Sequence, residues 1–145
     1  VTLLEVMNNL RRAGDDCARI RESIDMRRDA VTAITAKYGD AGGHGGGDTD
    51  KMSAYAARVE QLQDKLDRRK RQWAWEMENC LEIADTLEGI ERTILYSYYG
   101  KAWTLDAIAQ SAGFTPSYVR KRKVSLDDML RDMTVKDVPE WYTEA

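Results

Sequence analysis

Hydrophobic residues recur every seven positions through the first 38 residues. Leu3, Leu10, Cys17, Ile24, Val31 and Tyr38 form one column of a heptad repeat. Val6, Ala13, Ile20, Arg27 and Ile34 form its companion three residues on, and all but Arg27 are apolar. Apolar positions spaced alternately three and four apart put a narrow stripe on a helix, as in a coiled-coil seam. The spacing predicts one helix over 3–38, with Gly14 an exposed weak point costing about 1 kcal/mol relative to alanine. A second helix is predicted over 51–85, where Met52, Val59, Leu66, Trp73, Cys80 and Leu87 repeat every seven. Its companion column holds Tyr55, Leu62 and Ile83 but is interrupted by Arg69 and Glu76. The seam is therefore expected to shift or loosen mid-helix. Asp50 or Ser53 is placed to cap the start of this helix. At about 35 residues, each helix would run on the order of 50 Å.

Half of residues 39–50 are glycine, which predicts a flexible, poorly ordered connector that lets the two helices fold back as an antiparallel hairpin. A phosphate-cradling loop is not supported, because the Gly-Lys-Ser/Thr ending and a preceding strand are both missing. His44, the single histidine, has no ligand partners nearby and reads as a loop residue.

A helix over Leu87–Tyr99 follows, with Ile90, Ile94, Leu95 and Tyr98 as its apolar face and Gly100 at its end. Sequence leaves open whether it continues the second helix or breaks near Gly89. Lys101-Ala102-Trp103 links onward, with Trp103 expected to pack under the next turn. Thr104 can accept hydrogen bonds from the first free amides of a helix, and Asp106 suits the positive end of its dipole. Leu105, Ile108 and Ala109 make one apolar stripe. Gly113 stands where the chain must reverse. Thr115 and Pro116 then restart a helix, since proline at the first helical position sacrifices no needed hydrogen bond. This helix carries Val119 inward, displays Ser117, Tyr118, Arg120, Lys121, Arg122 and Lys123, and runs through Leu126, Met129 and Leu130 to about Met133. The tail holds Pro139 and a Trp141-Tyr142 pair expected to dock on the body or on a partner.

The predicted fold is all-α: a long antiparallel, coiled-coil-like helical hairpin followed by a C-terminal helix-turn-helix domain. Its expected divisions are 1–85 (hairpin, loop 39–50), 86–133 (helix-turn-helix) and 134–145 (tail).

Composition narrows the function. Hydrophobic residues make up 43% and charged residues 32%, with two prolines and one phenylalanine, which suits long, thin helical packing. A net charge of −3 gives no global steering toward nucleic acid, so attraction must come from local patches. Residues 115–126 are such a patch, with Arg120, Lys121, Arg122 and Lys123 and no acid. A second basic run, 68–71, points all round its helix and is read first as partnering acids such as Asp15, Asp16 and Glu22. A second DNA or polymerase contact is its alternative. Trp73, Trp75 and Met77 read as packing. Cys17 and Cys80 fall on seam positions as small core residues. With no CxxC spacing, signal peptide or membrane-length apolar run, a reducing, cytoplasmic setting is expected. No His-Cys or Ser-His-Asp constellation and no metal cluster is present to suggest an enzyme or a cofactor.

From Leu87 through Arg92, Ile94, Leu95, Tyr98, Tyr99 and Gly100 to Ile108-Ala109, Gly113, Val119-Arg120, Leu126 and Leu130, the chain resembles a sigma-70 region 4 type helix-turn-helix domain. The resemblance covers about a third of the chain. Sigma-type domains usually place an apolar residue four after the valine, where this chain has Lys123. With its helical N-terminal half, the chain further resembles small phage or prophage transcriptional regulators. The resemblance implies double-stranded DNA as partner, RNA polymerase as a further one, and a recognition helix in the major groove. Thr115, Ser117, Tyr118 and Lys121 are expected nearest the bases. Arg120, Arg122 and Lys123 are expected on phosphates, with Lys101 as a flanking contact. The hairpin is expected to mediate oligomerisation or partner binding, as in a homodimer; a monomer is the competing picture. A DNA-packaging adaptor of the small terminase type and a helical assembly protein without DNA affinity are the alternatives.

Overall fold

The computed structural model describes residues 1–38 and 46–143, with side chains described over 1–37 and 50–143. The fold is all-α. Helices α1 (Leu3–Tyr38) and α2 (Gly46–Ala84) form a long antiparallel hairpin, followed by α3 (Gly89–Ile94), a π-helical turn (Leu95–Gly100), α4 (Leu105–Ala112), α5 (Pro116–Asp132) and a 3-10 turn at Glu140–Tyr142. Thr2 and Glu5 cap α1 reciprocally: the Glu5 amide donates to Thr2 Oγ1 at 3.2 Å and the Thr2 amide to Glu5 Oε2 at 3.0 Å. That exchange satisfies two amides that would otherwise lack partners. Helix α2 begins earlier than its heptads predict. Residues 46–50 of the glycine-rich stretch are helical, so Asp50 and Ser53 lie inside α2 and cap nothing. Residues 39–45, including His44, lie outside the described residues.

The chain divides into two compact units: residues 1–14 with 71–145, and residues 15–70. The first is closed over a core of Leu3, Val6, Met7 and Leu10 from α1, Cys80 and Ala84 from α2, and buried residues of all the later helices. Met7 is off the heptad stripe yet fully buried, because α1 has a second covered face here. The question at Gly89 resolves as a break. Helix α2 stops at Ala84, and Gly89 takes φ +64° to open α3, a conformation a Cβ disfavours.

Two expectations in the linker are corrected. Tyr99 is fully buried and Tyr98 only half-buried, the reverse of a regular α-helical face. The Lys101 amide donates to the Tyr96 carbonyl at 3.0 Å, an i→i−5 bond, and that wider turn advances the register by about one residue. Trp103 does not pack under the turn: it is 40% exposed. Ala102 adopts φ +58° and turns the chain so that the Trp103 amide donates to the Ser97 carbonyl at 2.9 Å. Arg11 pins this loop, donating to the Trp103 carbonyl at 2.9 Å while its guanidinium lies 3.7 Å from the Tyr98 ring centre.

Glu76, expected to disturb the seam, stays on it at 1% exposure. The tail supplies a partner, since Tyr142 Oη donates to Glu76 Oε2 at 2.8 Å and accepts from Asn9 Nδ2 at 3.1 Å. The Tyr142 ring also rests 4.4 Å from Trp75, and Arg71 lies 4.2 Å from the Trp141 ring. The tail therefore docks on the body. A carboxylate is tolerable in a core only when hydrogen-bonded in this way.

The second unit consists of the α1 and α2 segments within 15–70. Cys17, Ile20, Ile24, Leu62 and Leu66 are buried between them. Arg69 also stays at the seam, its Nε 3.1 Å from Asp16 Oδ2, the pairing expected for the basic run. Burial pushes the Cys17 thiol above its ordinary pKa. Farther along, Val31, Ile34, Met52, Tyr55 and Val59 are only half-buried. Among the described residues, no helix is long and apolar enough to cross a membrane.

Candidate functional site

Helices α4 and α5 and the turn between them form as their local chemistry dictates. Thr104 caps α4, its side chain accepting from the Ala107 amide at 3.1 Å. Gly113 closes α4 in the left-handed region at φ +77°, with its amide on the Ala109 carbonyl. Thr115 caps α5 by accepting from the Tyr118 amide at 3.3 Å, with Pro116 in the first turn. Val119, Leu126 and Leu130 bury one face of α5 against Ile108, Ala109 and the rest of the core. This anchoring decides which side chains face out.

Ser117, Arg120, Lys121 and Val124 fall at i, i+3, i+4 and i+7, opposite that buried face, and all four are exposed. Thr115 and Tyr118 are exposed at the leading end of α5, where the Phe114 ring lies tilted against Tyr118 with centres 5.0 Å apart. The Ser117 hydroxyl and the Lys121 ammonium have no partner among the described residues. Phe114 and Val124 belong to this surface although the sequence reading did not select them. The helical stripe through Ser117 and Lys121 would have found Val124.

The four consecutive cations do not share one environment. Arg120 makes an exposed ion pair with Asp106 of α4, at 3.3 Å. Arg122 bonds Glu91 of α3 at 2.8 Å, and its shielded Nε has no hydrogen-bond partner among the described residues. Lys123 turns inward. Its ammonium is 2.6 Å from Asp127 Oδ2 and 4.9 Å from the Tyr98 ring centre, and its side chain is 22% exposed. Asp127 also accepts from the Tyr99 hydroxyl, whose pKa is held far above the ordinary tyrosine value, first by burial and then by this bond. The Lys123–Asp127–Tyr99 set thus ties α5 to the π-helical turn. Lys101 lies off α5 in the loop, 4.9 Å from the Tyr96 ring and 5.4 Å from the Trp103 ring.

The surface brought together is therefore Thr115, Ser117, Tyr118, Arg120 and Lys121, with Arg122 and Lys123 tied to carboxylates and Lys101 apart. Hydroxyl, phenol and ammonium groups on one exposed helical end can bond base edges and phosphates alike. No family model matches this chain, and no curated protein and no solved structure does so either.

Proposed function

We propose that this chain binds double-stranded DNA through the N-terminal half of α5, as a helix-turn-helix transcription regulator of the kind small phages and prophages encode. One observation carries the reading: α5 is anchored by Val119, Leu126 and Leu130 so that Ser117, Arg120 and Lys121 share its solvent face. In the major groove, Ser117, Tyr118 and Lys121 meet base edges. Arg120 meets a phosphate, exchanging its weak exposed pair with Asp106, worth at most about 1 kcal/mol. Lys101 is a flanking phosphate contact. Arg122 and Lys123 support the helix from behind rather than holding DNA, because their charges are already matched by Glu91 and Asp127. The hairpin is the assembly element. RNA polymerase is a further partner consistent with the sigma-type resemblance. No enzymatic step is assigned.

A second reading, a helical assembly protein without DNA affinity, is favoured by the ion pairing of Arg120, Arg122 and Lys123. The two separate by fluorescence-anisotropy titration of random and promoter-like duplexes at several salt concentrations. DNA binding predicts affinity that falls steeply with salt and drops in Arg120→Ala/Lys121→Ala. Affinity absent even at low salt supports the assembly reading.

A further inference from the structure

We propose that the far part of the 15–70 unit, centred on residues 30–36 of α1 and 52–57 of α2, is the docking surface for a second copy of this chain. The inference rests on reading the hairpin as an assembly element and is independent of DNA binding.

Three observations carry it. A groove of about 760 Å³ opens between the helices here, lined by Arg28, Val31, Thr32, Met52, Ala56 and Val59 among others. The heptad positions that should close it are half-exposed, whereas Ile20, Ile24, Leu62 and Leu66 of the same unit are buried at 8% or less. Two helices alone have one seam, and a knob at the open end of that seam lacks the surrounding hole that a further helix would complete.

Charge then selects the occupant. Residues 30–36 and 52–57 hold no charged side chain on any face, in a chain that is 32% charged. Arg28 is the one charged side chain among the residues that line the groove, so a partner presenting several charges here would lose their hydration with little to pair them. An uncharged helical surface is needed, and the same collar on another copy is one. The flanks agree: Asp25 and Asp29 accompany Arg27 and Arg28 on α1, and Arg58 accompanies Glu60 on α2. These flanks balance their own charge, and on the other side Lys37 and Lys51 stand with Asp50, so a two-fold arrangement, in which a surface meets itself, opposes no long block of like charge. Small residues such as Ala33, Ala54 and Ala57 let the helices approach closely. The collar is only about 10 Å long, so the charged flanks form the rim of the interface and the dimer dissociates on dilution.

The test is sedimentation velocity on the full chain over a wide concentration range, in low and high salt. A monomer–dimer equilibrium that persists in high salt is expected, because the contact is apolar. Ala56 is exposed, so Ala56→Arg leaves the monomer intact and shifts the dissociation constant upward at least tenfold. Met52→Glu does the same, with helix content checked by circular dichroism. Leu81→Glu, at a side chain 47% exposed in the other unit, leaves the equilibrium unchanged. A wild-type chain that stays monomeric throughout overturns the proposal, as does a dimer untouched by Ala56→Arg. Neither outcome bears on DNA affinity, which Lys121→Ala tests separately.

Discussion

In the unit formed by residues 1–14 and 71–145, α1 turns Leu3, Val6, Met7 and Leu10 into a core that α3, α4 and α5 close, and none is more than 3% exposed. In the 15–70 unit the same heptad pattern has only α1 and α2 to bury it. There Val31, Ile34, Met52 and Val59 remain half in solvent. A heptad repeat specifies which residues face a partner helix. How deeply they are buried depends on whether further elements cover them, and hydrophobic stabilisation scales with the area removed from water.

The largest expected difference between the units comes from cavity formation. Leu126→Ala, at a fully buried side chain, should cost about 3 kcal/mol by urea denaturation. Val59→Ala, at a half-open groove, should cost under about 1 kcal/mol. Equal losses would break the contrast. Next is the docked tail. Tyr142→Phe removes a donor from the buried Glu76 carboxylate and should cost about 1–2 kcal/mol. An unchanged midpoint would mean that the tail contributes nothing to the closed unit.

Alkaline titration gives a comparable effect with a defined sign. Burial pushes the Cys80 thiol up to about 11. The unfolded chain therefore releases this proton first as pH rises. Stability from this thiol is intact below the ordinary cysteine range and falls between about pH 9 and 11, on the order of 1–2 kcal/mol. The wild-type minus Cys80→Ala difference should show that slope, and a flat difference would contradict it. The smallest effects are local. Thr115→Ala should cost about 1 kcal/mol through the lost cap of α5. Gly14→Ala should stabilise by a similar amount, because a Cβ there meets nothing within 4 Å. Thermal melts would read both.

What the sequence made legible follows from short-range rules. The heptad columns bound α1 at residues 3–38, Thr104 and Gly113 mark the two ends of α4, and Thr115 and Pro116 mark the start of α5. Regular helical periodicity failed at the π-helical turn, where one wider turn exchanges Tyr98 for Tyr99. Glu76 reads as an interruption of its seam because the tyrosine that satisfies it lies 66 residues away. The basic run of α5 reads as one patch because its neighbours in space, Glu91 and Asp106, are not its neighbours in sequence. Asp127 was visible in principle, at i+4 from Lys123. The exposed face of α5 follows from the stripe opposite Val119, Leu126 and Leu130, which also picks out Val124.

In the proposed DNA complex Lys121 faces the duplex, while Lys123, paired with Asp127, holds α5 in place. The most direct test is the slope of log affinity against log salt, measured by anisotropy on one duplex for wild type, Lys121→Ala and Lys123→Met. With the proposed interface, Lys121→Ala weakens binding and reduces the slope by about one phosphate contact. Lys123→Met leaves the slope unchanged and lowers the melting temperature. A wild-type chain with no salt-dependent affinity for any duplex, or a slope lost only in Lys123→Met, would contradict that interface.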